Sequence, residues 1–220
     1  MLIVFDLDGT LVDSRRDLTD AANALIAERG GTALPLEDIA RMVGEGAALL
    51  VRRALSAAGL DPDSPNALAR FLDLYDERLL AHTYPYDGIP EAVRALAAEH
   101  ELAVLTNKPT RPSRRILEGL GLLRYFCEVV GGDGPHGRKP DPAGLAGIVC
   151  GHGYTAGDTI MVGDSRIDVT TARAAGTGLC VARYGFGFRP EEIRLERSDL
   201  VVDAPVELLR ALQITKSPDR

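Results

Sequence analysis

Two aspartates two residues apart, Asp6 and Asp8, close an apolar run at the head of the chain, in MLIVFDLDGTLVDS over Met1 to Ser14. Leu2 to Phe5 is unbroken apolar sequence containing Ile and Val, the pattern of a strand buried on both faces of a parallel sheet. Side chains alternate along a strand, so Asp6 and Asp8 leave it on the same side. Two carboxylates at the end of a buried strand are costly unless a cation sits between them. Mg²⁺ would remove that cost, because it takes one or two carboxylates together with phosphate and water. A turn and a helix cap would also use Asp, Gly and Thr. The four buried apolars ahead of D-x-D-G-T favour the metal reading.

Further polar groups follow later apolar runs. Thr106, Asn107 and Lys108 follow Leu102 to Leu105. Lys139 lies in Arg-Lys-Pro-Asp-Pro ahead of a helix, and Asp164 follows Thr159 to Val162 with Asp168 four residues on. Taken singly, these read equally as turn residues, a solvated lysine and a capping box from Ser165 to Asp168. Taken together they matter, because each falls at the carboxyl edge of a predicted strand, where open α/β sheets bind ligands.

The elements that must carry these residues divide into two kinds. From about Asp87 the chain alternates helix and strand: helices over 90–99, 110–120, 141–150, 167–175 and 206–212, and strands over 102–105, 125–130, 159–162, 179–182 and 200–202. That alternation predicts a doubly wound, mainly parallel, Rossmann-like α/β sheet. Residues from about 15 to 82 are helical throughout. Ser14 and Asp17 have capping-box spacing, Gly30 and Gly31 stop the first helix, and Ser64-Pro65 starts a helix reaching about Ala81. The economical arrangement is an α/β core of residues 1–14 and 84–220, with an α-helical cap of residues 15–83 inserted over the edge that holds the polar groups. Val12 to Ser14 and His82 to Asp87 are the expected hinges, and 214–220 is expected to fray.

Composition narrows the function classes. The chain has 220 residues and a formal net charge of −7, which argues against a nucleic-acid-binding surface. No apolar run approaches the ~18 residues of a membrane span, and with no basic region ahead of an apolar stretch and an acidic pair by residue 8, a signal peptide is not expected. Three cysteines, Cys127, Cys150 and Cys180, read as reduced, mostly packed thiols of a cytoplasmic protein. The four histidines show no metal-ligand spacing and receive no role. Among 25 basic residues only Lys108, Lys139 and Lys216 are lysines, so each is read individually.

The set D-x-D-G-T, T-N, K-P and G-D-S-x-x-D resembles, in order, the four motifs of the haloacid dehalogenase-like hydrolases. Thr-Asn-Lys-Pro at 106–109 and Arg-Lys-Pro-Asp-Pro at 138–142 look most like the phosphoglycolate phosphatase branch. The resemblance implies a Mg²⁺-dependent phosphatase acting on a small phosphate ester. Asp6 would be the nucleophile that forms an aspartyl-phosphate, and Asp8 the general acid and base. Asp6, the Asp8 carbonyl oxygen and Asp164 would hold the metal, with Asp168 behind them. Gly9, Thr10, Thr106, Asn107, Lys108 and Lys139 would face phosphate or substrate. In the cap, Arg16, Gly44 and Gly46 are specificity candidates, with Arg15, Arg41, Arg52 and Arg53 beside them. Dehalogenases lack the second Asp, and phosphonatases need a cap lysine that residues 15–82 do not contain. Mutase, pyrophosphatase and nucleotidase relatives stay open, as does monomer against homodimer. A phospho-Asp signalling receiver would place its phosphoacceptor after the third strand, where Gly131-Gly132-Asp133 stands.

Overall fold

The structure, a computed structural model, describes residues 1–213; the tail expected to fray lies outside them. Six strands form one parallel sheet: β1 Leu2–Phe5, β4 Glu101–Leu105, β5 Glu128–Val130, β6 Thr159–Gly163, β7 Gly178–Ala182 and β8 Leu200–Val202, in the order β5-β4-β1-β6-β7-β8. The alternation of β1 explains its central place. Ile3 and Phe5 enter one apolar layer with Ile89, Val93, Ile116 and Leu208, while Leu2 and Val4 enter the other with Leu145, Ile148 and Ala172. Helices α5 (Ile89–Ala97), α6 (Thr110–Gly119) and α9 (Glu207–Gln213) supply the first layer, and α7 (Ala143–Gly151) and α8 (Arg166–Ala175) the second. Such a strand is desolvated on both faces, so the polar residues at its end leave a dry environment.

Four helices come between β1 and the rest of the sheet and add no strand to it: α1 Arg15–Glu28, α2 Leu36–Ala40, α3 Ala47–Ala57 and α4 Ala67–Asp76. Leu25, Leu50, Leu55, Phe71 and Leu74 bury the apolar stripes of these helices in a layer continuous with Leu7 and Leu11.

The local expectations need several corrections. No capping box forms at Ser14. Its hydroxyl donates instead to Asp8 Oδ1 at 2.5 Å, and Asp17, fully buried, accepts from His82 N at 2.9 Å and Thr83 Oγ1 at 2.7 Å. Asp17 therefore holds the connection that returns from the helical segment. A two-residue antiparallel pair, β2 Val12–Asp13 against β3 Tyr84–Pro85, joins the same two connections; it is too short to leave an alternating pattern. Helix α4 starts at Ala67 and not at Pro65, because Asn66 turns left-handed (φ 59°). It ends at Asp76 in a run of turns and stops short of Ala81. Leu123–Tyr125 forms a single 3-10 turn, so β5 begins only at Glu128. Of the three free cysteines only Cys180 is buried; Cys127 and Cys150 are exposed.

Candidate active site

The carboxyl edge of the sheet gathers the polar residues. Asp6 continues the pairing of β1, its N–H bonding Val162 O. Asp164 leaves the neighbouring β6, and Lys139 arrives from the loop before α7. Lys139 Nζ stands 2.8 Å from Asp6 Oδ1 and 2.7 Å from Asp168 Oδ1, and all three side chains are nearly or fully buried. The other oxygen of Asp168 accepts from Ser165 N and Oγ, and the Ser165 hydroxyl accepts from Asp168 N, closing a capping box at the start of α8. Both Asp168 oxygens are thereby occupied. The residue caps its helix and aims Lys139 at Asp6.

Ligand atoms of Asp6, Asp164 and Asp168 lie within 4.8 Å of one another. Three buried carboxylates share one ammonium. Burial, opposed by Lys139 and helped by Asp168, pushes the Asp6 carboxyl up to about 7. Burial, with Asp168 and Asp6 beside it, holds Asp164 far above the ordinary carboxylate range. For Lys139, burial opposes the charge, but Asp168 and Asp6 outweigh it and raise the pKa. This imbalance is what a hard divalent cation corrects, and Asp6 and Asp164 are the carboxylates with oxygens to spare. Asp164 is held by Gly187 N at 2.7 Å and packs so closely on Gly9 (φ 90°) that a Cβ there would overlap the carboxylate. Glycine at position 9 is thus required twice over, by its backbone angle and by Asp164.

Asp8 points into a cleft between the sheet edge and the helices. Its Oδ1 accepts from Ser14 Oγ and pairs with Lys108 Nζ at 3.1 Å, and Oδ2 remains for a proton. Lys108, buried, also meets Tyr75 Oη at 2.5 Å and sits 4.3 Å above the Tyr75 ring centre. Burial opposes its charge, and Asp8 and Tyr75 more than offset this. The cleft is lined by Asp6, Asp8, Thr106, Asn107 and Lys108 from the sheet side and by Gly44, Gly46, Leu50, Phe71 and Tyr75 from the helices. Its volume of about 50 Å³ is small against the several hundred Å³ of typical drug-sized sites.

Most of the residues singled out in the sequence do converge here, with exceptions. Asn107 spends its amide hydrogens on Gly44 O (2.8 Å) and Lys139 O (2.9 Å), so it ties the helical segment to the sheet loops. Thr10 is fully buried and does not line the cleft; its carbonyl accepts from Tyr184. Arg16 is a surface residue paired with Asp20 at 3.0 Å and takes no part in the cleft. Arg15, Arg41, Arg52 and Arg53 likewise pair with Asp13, Asp38, Asp63 and Glu45. Gly44 and Gly46 do border the cleft, with φ of 116° and 92°. Asp133 accepts from Thr110 N and Oγ1, which places it on the first turn of α6 and not in the site. Sequence reasoning missed Ser14, Tyr75 and Gly187. Ser14 was masked by its capping spacing, Tyr75 by the apolar face of a helix, and backbone donors such as Gly187 leave no signal.

Comparisons with known proteins agree with this fold. The family model described as haloacid dehalogenase-like hydrolase matches residues 3–182. A phosphoglycolate phosphatase of Rhodospirillum rubrum is 46% identical over 196 residues, covering 86% of this chain and 81% of that protein. Phosphoglycolate phosphatase 1 of Pseudomonas aeruginosa is 39% identical over 216 residues, covering 94% and 78%. The crystal structure of a predicted phosphoglycolate phosphatase from Haemophilus somnus superposes with a TM-score of 0.88 at 29% identity, covering 98% and 97%. A doubly wound sheet carrying the four motifs in order, and a family match over most of its length, establish that this chain belongs to the haloacid dehalogenase-like hydrolases.

Proposed function

We propose that the chain is a Mg²⁺-dependent phosphatase for a small carboxylated phosphate ester, phosphoglycolate first, working through an aspartyl-phosphate. The observation that carries this reading is the convergence of Asp6, Lys139 and Asp164 beside Asp8 at the mouth of a small cleft. Asp6 attacks phosphorus in line, and the bond to the leaving oxygen breaks. Asp8 gives that oxygen its proton, then takes one from the water that splits the acyl phosphate. Lys139 and Thr106 meet the phosphoryl oxygens, while the N–H groups of Gly9, Thr10, Leu11 and Val12 are donated within their own turn; Thr106 Oγ1 already accepts from Lys108 N, which leaves its hydrogen for an anion. Asp6, Asp164 and the Asp8 carbonyl oxygen are the groups that would hold Mg²⁺, which when bound supplies the positive charge that lets a phosphate dianion approach the carboxylates.

The substrate follows from the relatives' names and from the cleft. Residues 15–83 act as a cap whose closure limits length, and the remaining space suits two or three carbons and not a nucleotide. Lys108 is the cation among the residues lining the cleft, and the first turn of α3 borders it at Gly46 and Ala47 with N–H groups that lack helical partners. Both fit a carboxylate at the far end of the ester. Three cysteines without a disulfide suit a reducing cytoplasm, and among the described residues no helix is long and apolar enough to cross a membrane.

Asp6→Asn should abolish phosphate release while the fold persists, and normal turnover in that variant would refute the covalent route. A screen of phosphorylated metabolites with Mg²⁺, read by released phosphate, tests the substrate. Preference for a phosphosugar over phosphoglycolate would overturn that assignment and leave the phosphatase reading intact.

A further inference from the structure

At the opposite, amino edge of the sheet a second group of ligating side chains converges. Glu101 opens β4, Cys127 precedes β5, and His152 ends α7. One ligand atom from each lies within 4.8 Å of the others. His152 Nδ1 is 3.3 Å from Glu101 Oε2, and His152 Nε2 is 3.2 Å from Glu128 Oε2 and 3.8 Å from Cys127 Sγ. Ligands sharing one tetrahedral zinc, with bonds of about 2.0 to 2.3 Å, stand roughly 3.3 to 3.8 Å apart. The Nδ1–Glu101 separation falls in that range, and Cys127 Sγ, 3.8 Å from the other ring nitrogen, belongs to the same cluster within 4.8 Å. The three positions are dozens of residues apart, which is why spacing along the chain carries no sign of them.

A neutral imidazole has one N–H and cannot serve two carboxylates at once. Either a second proton on the ring or a cation on its Glu101 side resolves this, and with a cation Nε2–H is left to Glu128. A carboxylate on the second ring nitrogen is the usual support for a metal-bound histidine, fixing its tautomer and orientation. The thiol matters too. Carboxylates alone suit Mg²⁺ or Ca²⁺, whereas Cys and His together select zinc-like ions.

We propose that Cys127, His152 and Glu101 form a binding site for a zinc-like divalent cation, with Glu128 holding the second ring nitrogen and water completing the coordination. Cys127 binds as the thiolate. Its proton passes to solvent, and the bond its sulfur makes to Leu102 O at 3.0 Å is given up. The site ties the amino ends of β4 and β5 to the end of α7. It is independent of the phosphatase reading, since none of its residues lies at the edge that holds Asp6.

The test uses Co²⁺ as a spectroscopic stand-in for zinc, added to the full chain with saturating Mg²⁺ present. The expected result is one equivalent of cobalt giving a thiolate charge-transfer band in the near ultraviolet and intense visible bands of a tetrahedral centre, both displaced by Zn²⁺. Cys127→Ser should remove the charge-transfer band with phosphate release unchanged, and Cys150→Ser should keep it. His152→Ala should abolish tight binding, and Glu128→Gln should weaken it by about 10- to 100-fold. Absence of the band in the parent protein, or its survival in Cys127→Ser, overturns the proposal. Cobalt confined to the carboxylates at Asp6 would give only weak octahedral bands and would count against it as well.

Discussion

The charge imbalance around Asp6 should make the stability of the metal-free protein fall with pH. A carboxyl whose folded pKa exceeds its unfolded value contributes stability that is complete below the unfolded pKa and is lost as pH rises through the folded one. For Asp6 that window runs from the ordinary 3.8 to about 7. The gap is roughly three pH units, and at about 1.4 kcal/mol per unit, ionising Asp6 inside the metal-free fold costs about 4 kcal/mol. Asp164 acts in the same direction. For a chain of this size about 1 kcal/mol corresponds to 2–4 °C, so Tm should drop by up to roughly 8–16 °C across the window. Thermal melts followed by circular dichroism from pH 5 to 8.5, with EDTA and with excess Mg²⁺, would measure this. The EDTA curve should fall as pH rises to about 7, the Mg²⁺ curve should stay flatter, and the gap should widen over the same range. Asp164→Asn keeps an acceptor for Gly187 N–H and removes a buried charge. It should therefore match or exceed the parent Tm in EDTA at pH 8, gain nothing from Mg²⁺ and release no phosphate. A gap independent of pH, or an Asp164→Asn protein that melts lower in EDTA yet still responds to Mg²⁺, would refute the reasoning.

Three other perturbations separate the roles. Lys139→Met leaves Asp6 and Asp168 facing each other without a cation; it should cost about 3–5 kcal/mol in urea unfolding and abolish phosphate release. Lys108→Met should raise KM for phosphoglycolate more than for ethyl phosphate, lowering the ratio of their kcat/KM values by about tenfold, the worth of one charge-assisted hydrogen bond. An unchanged ratio would remove Lys108 from substrate recognition. Asp17→Asn turns one acceptor of the His82 and Thr83 bonds into a donor; it should cost about 1–3 kcal/mol in the same unfolding experiment, with the motif residues untouched.

The sheet and the identity of the motif residues were legible because period-two burial and strand-end carboxylates are strong, local signals. Leu2 to Phe5 could be read as buried on both faces, and it is. Partnerships were less legible, because spacing shows what a side chain could do locally and not what the fold brings to it. Ser14 and Asp17 have capping spacing, yet Ser14 bonds Asp8 and Asp17 bonds the chain 65 residues on. Ser165 and Asp168 have the same spacing and do close the box; the difference is that no competing partner reaches them except Lys139, which the second Asp168 oxygen accommodates. Asn107 had the right address for a phosphate ligand, but its amide hydrogens serve two carbonyls that arrive from elsewhere. The cap arginines each pair with a carboxylate close by, which spacing along the chain does not show.

The topology explains why the site lies where it does. From β1 the chain crosses to β4 and β5 on one side, then returns to β6, β7 and β8 on the other. The loops after β1 and β6 therefore diverge, and a crevice opens between them at the point where strand order reverses. Asp6 and Asp164 stand on either side of that crevice. Because β1 is central, both are stripped of water by neighbouring strands and by the glycines at 9, 185 and 187 that pack on Asp164. That dehydration raises their pKa values, and it equally raises the gain when a divalent ion neutralises them. At a sheet edge the same two aspartates would be hydrated, ordinary in pKa and weak as a pair. Placing D-x-D at the end of the middle strand thus makes the metal-free site costly and would make a metal-bound site tight through one cause, and the pH-dependent response to Mg²⁺ is the measurement of that cause.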